Sequence, residues 1–346
     1  MKNLAFDAVK DLCTNLGADI TLVQGAGGNV SFKQENDFWI KASGTWLADA
    51  NRSAIFVHLD LKKVHEGVEA GTNDFTPAII ENIGLRPSIE TSLHAILPQA
   101  VVVHVHSIHS LSWVVRTKGK EQVAERLDGL NWAWVEYVRP GLPLTRVIQA
   151  ILKEKPETNI LLLANHGVFV AAETASAASD LLAEVERRLL PPAQSSKKLE
   201  QAKIDQLAKL LPHGCRLPAN PMVNLLGQDL RFMELAITGS LYPDNVVFIG
   251  PSFSAVAPSD LDALANALST TPFCAIVEGM GVVLGPNCSE SVEAQLECLV
   301  LLCPTLPDIT ELKYLSNNQV AELLNWDEEK LRQALDKSRQ AAKKSN

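Results

Sequence analysis

The chain of 346 residues is long enough for one large or two ordinary domains, and 47% hydrophobic with 21% charged residues describes a soluble globular protein. A net charge of −9 argues against a nucleic-acid partner held by phosphate neutralisation. No run approaches the roughly 18 apolar residues of a membrane span, and the acidic first residues do not resemble a signal peptide. The six scattered cysteines lack Cys-x-x-Cys spacing, which is typical of reduced thiols, so a cytoplasmic location is expected.

The apolar pattern predicts alternating strands and helices over the first 190 residues, so both faces of a sheet should be covered. The predicted elements, in chain order, are a helix over about 2–16, a glycine-rich turn at 24–29, strands at 30–32, 38–41 and 55–59, a helix over 88–97 with Ser88 as its N-cap, a strand beginning at Val101, helices near 107–117 and 144–154, a strand around His166 and a helix over 175–190.

A stretch rich in proline and serine at 191–197 predicts a domain boundary, which divides the chain into 1–195 and 196–346. The predicted elements beyond it are helices over 198–211, 229–239 and 289–302 and strands at 245–249 and 273–285.

The second part also contains a stretch that resembles the first. Residues 277–284 align with 163–170, and a helix is predicted after both. If this is a degenerate partial repeat, Met280 stands where His166 stands, and the second copy cannot hold a metal through that position. The alternative is a chance resemblance between two strand-turn-strand-helix units.

Two histidines, His104 and His106, are spaced i, i+2 inside an apolar β-branched run. Side chains alternate along a strand, so both imidazoles should point to the same side and supply half of a metal site. His166, followed by Gly167, is the best candidate for a third ligand. The alternative is that these are core histidines with ordinary hydrogen-bond partners.

Three polar segments precede the histidines. Residues 27–31 can present backbone N–H groups and the Asn29 amide to an anion, and Ser43-Gly44 forms a second polar turn. Glu90 falls in the first turn of a predicted helix. Taken singly, the turns could be only turns, and Glu90 only a favourable charge at a helix N-terminus. His94, one turn after Glu90, is expected to be a structural hydrogen-bonding residue rather than a fourth ligand.

In this order and spacing, the motifs GGNVS, KASG, PSIExxxH, HVHS and NHG resemble those of the class II aldolase/adducin family, over roughly residues 1–190. That family includes fuculose- and rhamnulose-phosphate aldolases, ribulose-phosphate 4-epimerase, methylthioribulose-phosphate dehydratase and the non-enzymatic adducin head. The resemblance implies an α/β fold, a three-layer α-β-α arrangement around a central mixed sheet, with a smaller C-terminal α/β region of the kind found in longer members.

The resemblance also implies the roles of particular residues. His104, His106 and His166 would ligate one zinc per chain, and Glu90 would be the catalytic acid/base. The positions that match the family's phosphate-binding residues are Asn29, Ser43, Gly44 and Ser88. Family enzymes are tetramers with sites between subunits, so a homo-oligomer is expected.

The function implied is that of a zinc-dependent aldolase, a carbon–carbon lyase that acts on a ketose or ketose phosphate through a metal-stabilised enediolate. Glu90 favours a lyase over the epimerase, which has aspartate there. The alternatives are a related dehydratase, decarboxylase or epimerase, or an adducin-like scaffold without catalysis. Ile89 replaces a serine common in the phosphate-binding aldolases, no tyrosine can be assigned as the second acid, and no GxGxxG motif follows any strand.

Overall fold

The computed structural model describes residues 3–192, 194–270 and 274–344. The chain forms two compact units, Met1–Val114 with Lys118–Leu190, and Val115–Thr117 with Pro191–Asn346. Residues 2, 193 and 273, placed by the sequence in a helix, a linker and a strand, lie outside the described residues. The functional division at residue 195 stays a prediction.

The first unit alternates strands and helices much as its apolar pattern predicts. Its helices are α1 (Leu4–Ala18), α2 (Leu61–Ala70), α3 (Thr91–Ile96), α4 (Ile108–Val114), α5 (Gly119–Arg126), α6 (Leu142–Glu154) and α7 (Ala175–Arg188). Its strands are β1 (Asn29–Gln34), β2 (Asp37–Lys41), β3 (Phe56–Asp60), β4 (Val101–Val105), β5 (Trp132–Val135), β6 (Ile160–Leu163) and β7 (Gly167–Ala172). Within the described ranges, no helix combines the length and the apolarity needed to cross a membrane.

These strands form one mixed sheet in the order β3-β2-β1-β4-β7-β6-β5. Only the β5–β6 pair is parallel among the pairs of this sheet in the described chain. Alternate residues of β1 face opposite sides: Phe32 stacks on Phe6 of α1, whereas Ser31 bonds His94 of α3. Helices therefore cover both faces, and the predicted three-layer α/β fold is confirmed.

The helix that carries Glu90 is shorter than predicted. It begins at Thr91, with Glu90 as its N-cap residue, so the prediction of Ser88 as the N-cap is wrong. Ser88 instead organises the turn before the helix, because its Oγ accepts from the Glu90 N–H at 3.2 Å and its carbonyl accepts from the Thr91 N–H.

The second unit is built around a small three-stranded sheet in the order β10-β9-β8. Its strands are β8 (Ala255–Val256), β9 (Cys274–Val277) and β10 (Gly281–Leu284). Its helices are α8 (Gln201–Ala208), α9 (Leu225–Gln228), α10 (Leu230–Thr238), α11 (Pro243–Phe248), α12 (Leu261–Thr270), α13 (Glu290–Leu302), α14 (Asn317–Leu324) and α15 (Asp327–Lys344).

The strand predicted at 245–249 is wrong, because residues 245–248 lie in helix α11 and Ile249 is its C-cap residue. Every residue of α11 is buried, and a fully buried helix shows the same continuous apolar run as a buried strand. Pro243 at the first helical position was the available signal, because proline is pre-organised for that place.

The two stretches aligned by sequence share a topology. In each, a parallel strand pair is connected through a helix, an antiparallel hairpin follows, and a second helix ends the motif, β5-α6-β6-β7-α7 in one unit and β8-α12-β9-β10-α13 in the other. Asn165 and Gly279 occupy equivalent turn positions, and both have positive φ, 54° and 71°. The shared topology agrees with the predicted repeat, whose origin stays a prediction.

Candidate metal centre and active site

Three histidines meet where β4 ends beside the β6–β7 turn. His104 lies on β4, His106 immediately follows that strand, and His166 lies in the turn before Gly167. All three side chains are buried, and one ring nitrogen of each lies within 4.8 Å of the others. The Nε2 atoms of His104 and His106 are 3.0 Å apart. The structure thus brings together the three histidines that the pattern indicated, although His106 and His166 stand just outside the strands to which it assigned them, and their role as ligands stays a prediction.

The hydrogen bonding of His104 prepares it to act as a ligand. Its Nδ1 lies 3.0 Å from the Val168 carbonyl oxygen, which can only accept, so the proton is on Nδ1 and the Nε2 lone pair faces the cluster. In a tetrahedral zinc site two histidine nitrogens are roughly 3.3 Å apart, close to the observed separation. The donor set and this tautomer fit a metal ion.

Two glycines allow the backbone to pass close to the cluster. A Cβ on Gly167 would lie 2.5 Å from the Val105 carbonyl oxygen, 3.1 Å from His106 Cδ2 and 3.3 Å from His104 Cε1. A Cβ on Gly28 would lie 2.8 Å from the His104 carbonyl oxygen, and its φ of 62° also favours glycine. A side chain at either glycine would displace the backbone or the rings of the histidines, so both positions require glycine.

Glu90 lies against the histidine cluster and is buried. Its Oε2 is 3.5 Å from His104 Nε2, and its Oε1 is 3.9 Å from His166 Nε2. Asn29, which pairs with His104 across β1 and β4, donates its Nδ2–H to Glu90 Oε2 at 2.8 Å. Glu90 Oε1 is buried and has no hydrogen-bond partner within the described part of the chain. Both oxygens thus lie beside the histidines, and Oε2 is held by the Asn29 amide while Oε1, next to His166, is not.

His94 is a hydrogen-bonding residue in the structure, as predicted, and it does not belong to the three-histidine cluster. Its Nδ1 is 2.8 Å from Ser31 Oγ, and its Nε2 contacts Asn29 Oδ1. Burial lowers the pKa of His94 well below its ordinary value, and nearby His104 and Lys33 act in the same direction. The imidazole is therefore neutral at physiological pH.

The remaining predicted site residues lie on two segments that bond to each other. The Ser43 N–H donates to the Arg86 carbonyl at 2.9 Å, and the Ser43 hydroxyl donates to the Pro87 carbonyl at 3.2 Å. Gly44 follows with φ of 74°, and the Ser88 N–H donates to the Lys41 carbonyl. The structure therefore brings Ser43, Gly44 and Ser88 to the turn that leads into Glu90.

Sequence reasoning included Ser31 in a motif without giving its side chain a role, and it did not identify Lys33 as part of this neighbourhood. Lys33 is buried, and its Nζ donates to the carbonyls of His94 and Leu97 at the end of α3. The available signal was the alternation along β1, in which polar Asn29, Ser31 and Lys33 share one face. A row of polar residues on a buried strand face indicates partners that must satisfy them.

Chemically, the arrangement combines three imidazoles whose nitrogens could hold a metal ion with one carboxylate that is only partly satisfied. Three protein ligands are typical of a catalytic metal site that keeps a position open, and an adjacent carboxylate is typical of a general acid/base. The residues present can therefore hold a metal ion and move a proton beside it.

Similarity to solved structures extends over just over half of the chain and involves proteins of 14–23% sequence identity. The N-terminal class II aldolase domain of a conserved Thermoplasma acidophilum protein is 23% identical and aligns over 55% of this chain and 94% of its own, with a TM-score of 0.48. The L-fuculose-1-phosphate aldolase of Thermus thermophilus is 19% identical over the same shares, with a TM-score of 0.38. A Thermotoga maritima sugar-phosphate aldolase is 14% identical, over 54% of this chain and 92% of its own, with a TM-score of 0.43.

A curated relative, the uncharacterized oxidoreductase YuxG of Bacillus subtilis (strain 168), is 33% identical over 175 residues. The match covers 46% of this chain and 25% of the relative, so the chain spans about a quarter of that protein's length. The model of the Class II Aldolase and Adducin N-terminal domain matches residues 9–189, just over half of the chain, and includes the three histidines and Glu90. The chain belongs to the class II aldolase and adducin family.

Proposed function

We propose that the chain is a zinc-dependent aldolase that cleaves or forms a carbon–carbon bond in a ketose or ketose phosphate. The observation that carries the proposal is the Glu90 carboxylate, whose Oε1 is buried and without a hydrogen-bond partner in the described chain, 3.9 Å from His166 Nε2. A buried carboxylate oxygen left in this state is costly unless a cation or an exchangeable proton satisfies it.

The metal would be held by His104, His106 and His166. Three imidazoles and no thiolate form a donor set that suits zinc, with a fourth position left for substrate. When bound, zinc supplies a Lewis acid that stabilises the negative charge developing on the substrate oxygens during carbon–carbon cleavage.

Glu90 would move the proton. Its Oε2 is fixed by the Asn29 amide, so Oε1 is the atom that accepts a proton from the substrate and returns it to the enediolate fragment. Because the carboxylate is buried, bulk water does not compete for this oxygen.

The polar end of the substrate would bind beside the turn that holds Ser43, Gly44 and Ser88. Ser88 Oγ accepts from the Glu90 N–H and can still donate its own proton to an anion or a hydroxyl. Ile89 supplies no hydroxyl at this turn. We therefore propose a small sugar or sugar phosphate as the substrate class, and the assay below compares the two forms.

A homo-oligomer, a tetramer by family resemblance, is part of the same proposal, and sedimentation equilibrium of the purified chain tests it. A single-chain mass would remove it. The cytoplasmic location also stays a prediction.

The test is product analysis on the full chain loaded with zinc. Ketose 1-phosphates and the corresponding free ketoses are incubated with the protein, and the aldehyde and three-carbon ketone fragments are followed by NMR. We expect both fragments in equal amounts. A dehydrated, decarboxylated or epimerised product would replace the lyase by one of those related activities.

Two variants separate the roles of the residues. Glu90→Gln should keep zinc and lose turnover by at least about 100-fold, because the amide cannot take the proton. His104→Ala should lose the metal and turnover together. Full turnover in Glu90→Gln would remove Glu90 from the mechanism, and a wild-type chain that binds no zinc and converts no substrate would favour an adducin-like scaffold.

A further inference from the structure

We propose that His94 is a positioning residue of this site: held by Ser31, it fixes the Asn29 amide so that the amide aims the Glu90 carboxylate at the histidine cluster. The proposal rests on the proposed function of Glu90 as the acid/base. It assigns a role to a buried imidazole that lies outside the three-histidine cluster and takes no direct part in the proposed proton transfer.

The direction of each hydrogen bond follows from Glu90. An ionised carboxylate only accepts, so the Asn29 atom 2.8 Å from Oε2 must be the Nδ2 donor, and Oδ1 must face His94. Because Oδ1 only accepts, His94 Nε2 must carry the ring proton. With a neutral ring, Nδ1 then accepts from the Ser31 hydroxyl at 2.8 Å.

The result is a chain of bonds with one polarity: Ser31 O–H to His94, His94 N–H to Asn29, and Asn29 N–H to Glu90. His94 and Asn29 each accept a hydrogen bond from the residue before them and donate one to the residue after them. If the His94 proton moved to Nδ1, the Asn29 amide would have to turn over, and its oxygen would face the Glu90 carboxylate. The tautomer of His94 therefore decides whether Glu90 is held or repelled.

The surroundings of His94 hold it in this state. The ring is fully buried, and its edge packs against Phe169 with centroids 5.3 Å apart. Lys33, two residues beyond Ser31 on the same face of β1, holds the His94 carbonyl. The lowered pKa of His94 agrees with a ring that stays neutral. The charged groups that act on it are Lys33 and, when protonated, His104.

The consequence for the reaction is that the two oxygens of Glu90 have different roles. A hydrogen bond from the Asn29 amide stabilises the ionised carboxylate and restricts its rotation. Oε1 is thereby left to exchange the proton. Loss of the His94 donor frees the Asn29 amide, so Glu90 is aimed less well although every ligand of the metal is still present.

The first experiment reads the tautomer directly, without any substrate. Long-range ¹H–¹⁵N spectra of the full chain labelled in histidine nitrogen should include the pattern of a neutral imidazole protonated on Nε2 that is absent from the spectrum of His94→Asn. Ser31→Ala should move its Nδ1 resonance to higher frequency, because that nitrogen loses its donor. A ring protonated on Nδ1, or an imidazolium at neutral pH, would overturn the proposal.

The second experiment uses two amide substitutions that differ in reach. In His94→Gln the amide nitrogen falls near the position of Nε2 and can still donate to Asn29, whereas in His94→Asn it falls near Nδ1 and cannot. We expect His94→Asn to lower kcat by about 10–100-fold with zinc content unchanged, and His94→Gln to restore most of the loss. Unfolding midpoints of both variants check that the fold is kept.

The outcomes separate this inference from the proposed function. A wild-type chain without lyase activity removes the proposed function, and the tautomer measurement still decides the hydrogen-bond chain. Equal losses in the two variants would show that His94 serves only to fill space, and full activity in both would show that Glu90 needs no such support.

Discussion

Adding a single methyl group at Gly167 should perturb the proposed metal site without removing any of its three proposed ligands. In Gly167→Ala the new Cβ would stand 2.5 Å from the Val105 carbonyl oxygen and only 3.1 Å and 3.3 Å from ring carbons of His106 and His104. Because the nearest atom belongs to the backbone, β4 and the β6–β7 turn must move apart. Overpacking of this kind typically costs about 1–3 kcal/mol of unfolding free energy.

The same displacement should weaken metal binding. Both histidine rings touch the added carbon, and changes beside metal ligands typically cost about 10–100-fold in affinity. The matched control is Gly227→Ala in the second unit, where a Cβ would lie 2.4 Å from the Gly281 carbonyl oxygen. This control creates a comparable backbone clash, and the predicted ligands all lie in the other unit.

Two assays decide the matter: urea unfolding of the metal-free proteins, and competition for zinc with a chromophoric chelator. We expect both variants to lose stability and only Gly167→Ala to lose zinc affinity. Equal zinc affinity in the wild type and Gly167→Ala, with stability lowered as in the control, would refute the assignment of His104 and His106 as ligands.

Two further predictions concern buried cations. Burial lowers the pKa of Lys33 from 10.5 to about 7, so between these pH values the unfolded chain holds the additional proton. Stability should therefore rise with pH by up to about 1.4 kcal/mol per unit from this group, and urea unfolding of Lys33→Met should lack that rise; the same slope in the variant would contradict the assignment. In the second unit, the largely buried Arg332 bonds the buried carboxylates of Asp244 and Glu329, so Arg332→Leu should cost about 3–5 kcal/mol in urea unfolding because it leaves those carboxylates unpaired. Arg187→Leu at an exposed pair should cost under about 1 kcal/mol. Equal losses of unfolding free energy in the two variants would show that Arg332, Asp244 and Glu329 do not form a strongly stabilising ion cluster.

The histidine cluster could be predicted because its residues occur in short, recognisable stretches of sequence. The spacing of His104 and His106 places both rings on one side of β4, and the glycine after His166 marks a close approach. The role of Glu90 came from the resemblance of its motif to the class II aldolase/adducin family, because its place in the first turn of a predicted helix indicated only a favourable charge. The two histidines of the strand, by contrast, need only the local geometry of one element, which a residue pattern determines.

The hydrogen-bond chain behind Glu90 could not be predicted in the same way. It depends on the register that sets Asn29 opposite His104, and on the packing of α3 over the face of β1 that carries Ser31. Register and helix packing are tertiary properties, so the sequence indicated the polar residues but not their partners. Helix α11 was missed for a related reason, because burial on all sides removes the periodicity that distinguishes a helix from a strand.

The most direct test of the central claim is a zinc titration of the metal-free full chain, with bound zinc counted by elemental analysis after desalting. The three-histidine site predicts about one zinc per chain in the wild type and none retained in His104→Ala. A wild-type chain that retains no zinc, or a His104→Ala variant that retains as much as the wild type, would contradict the account.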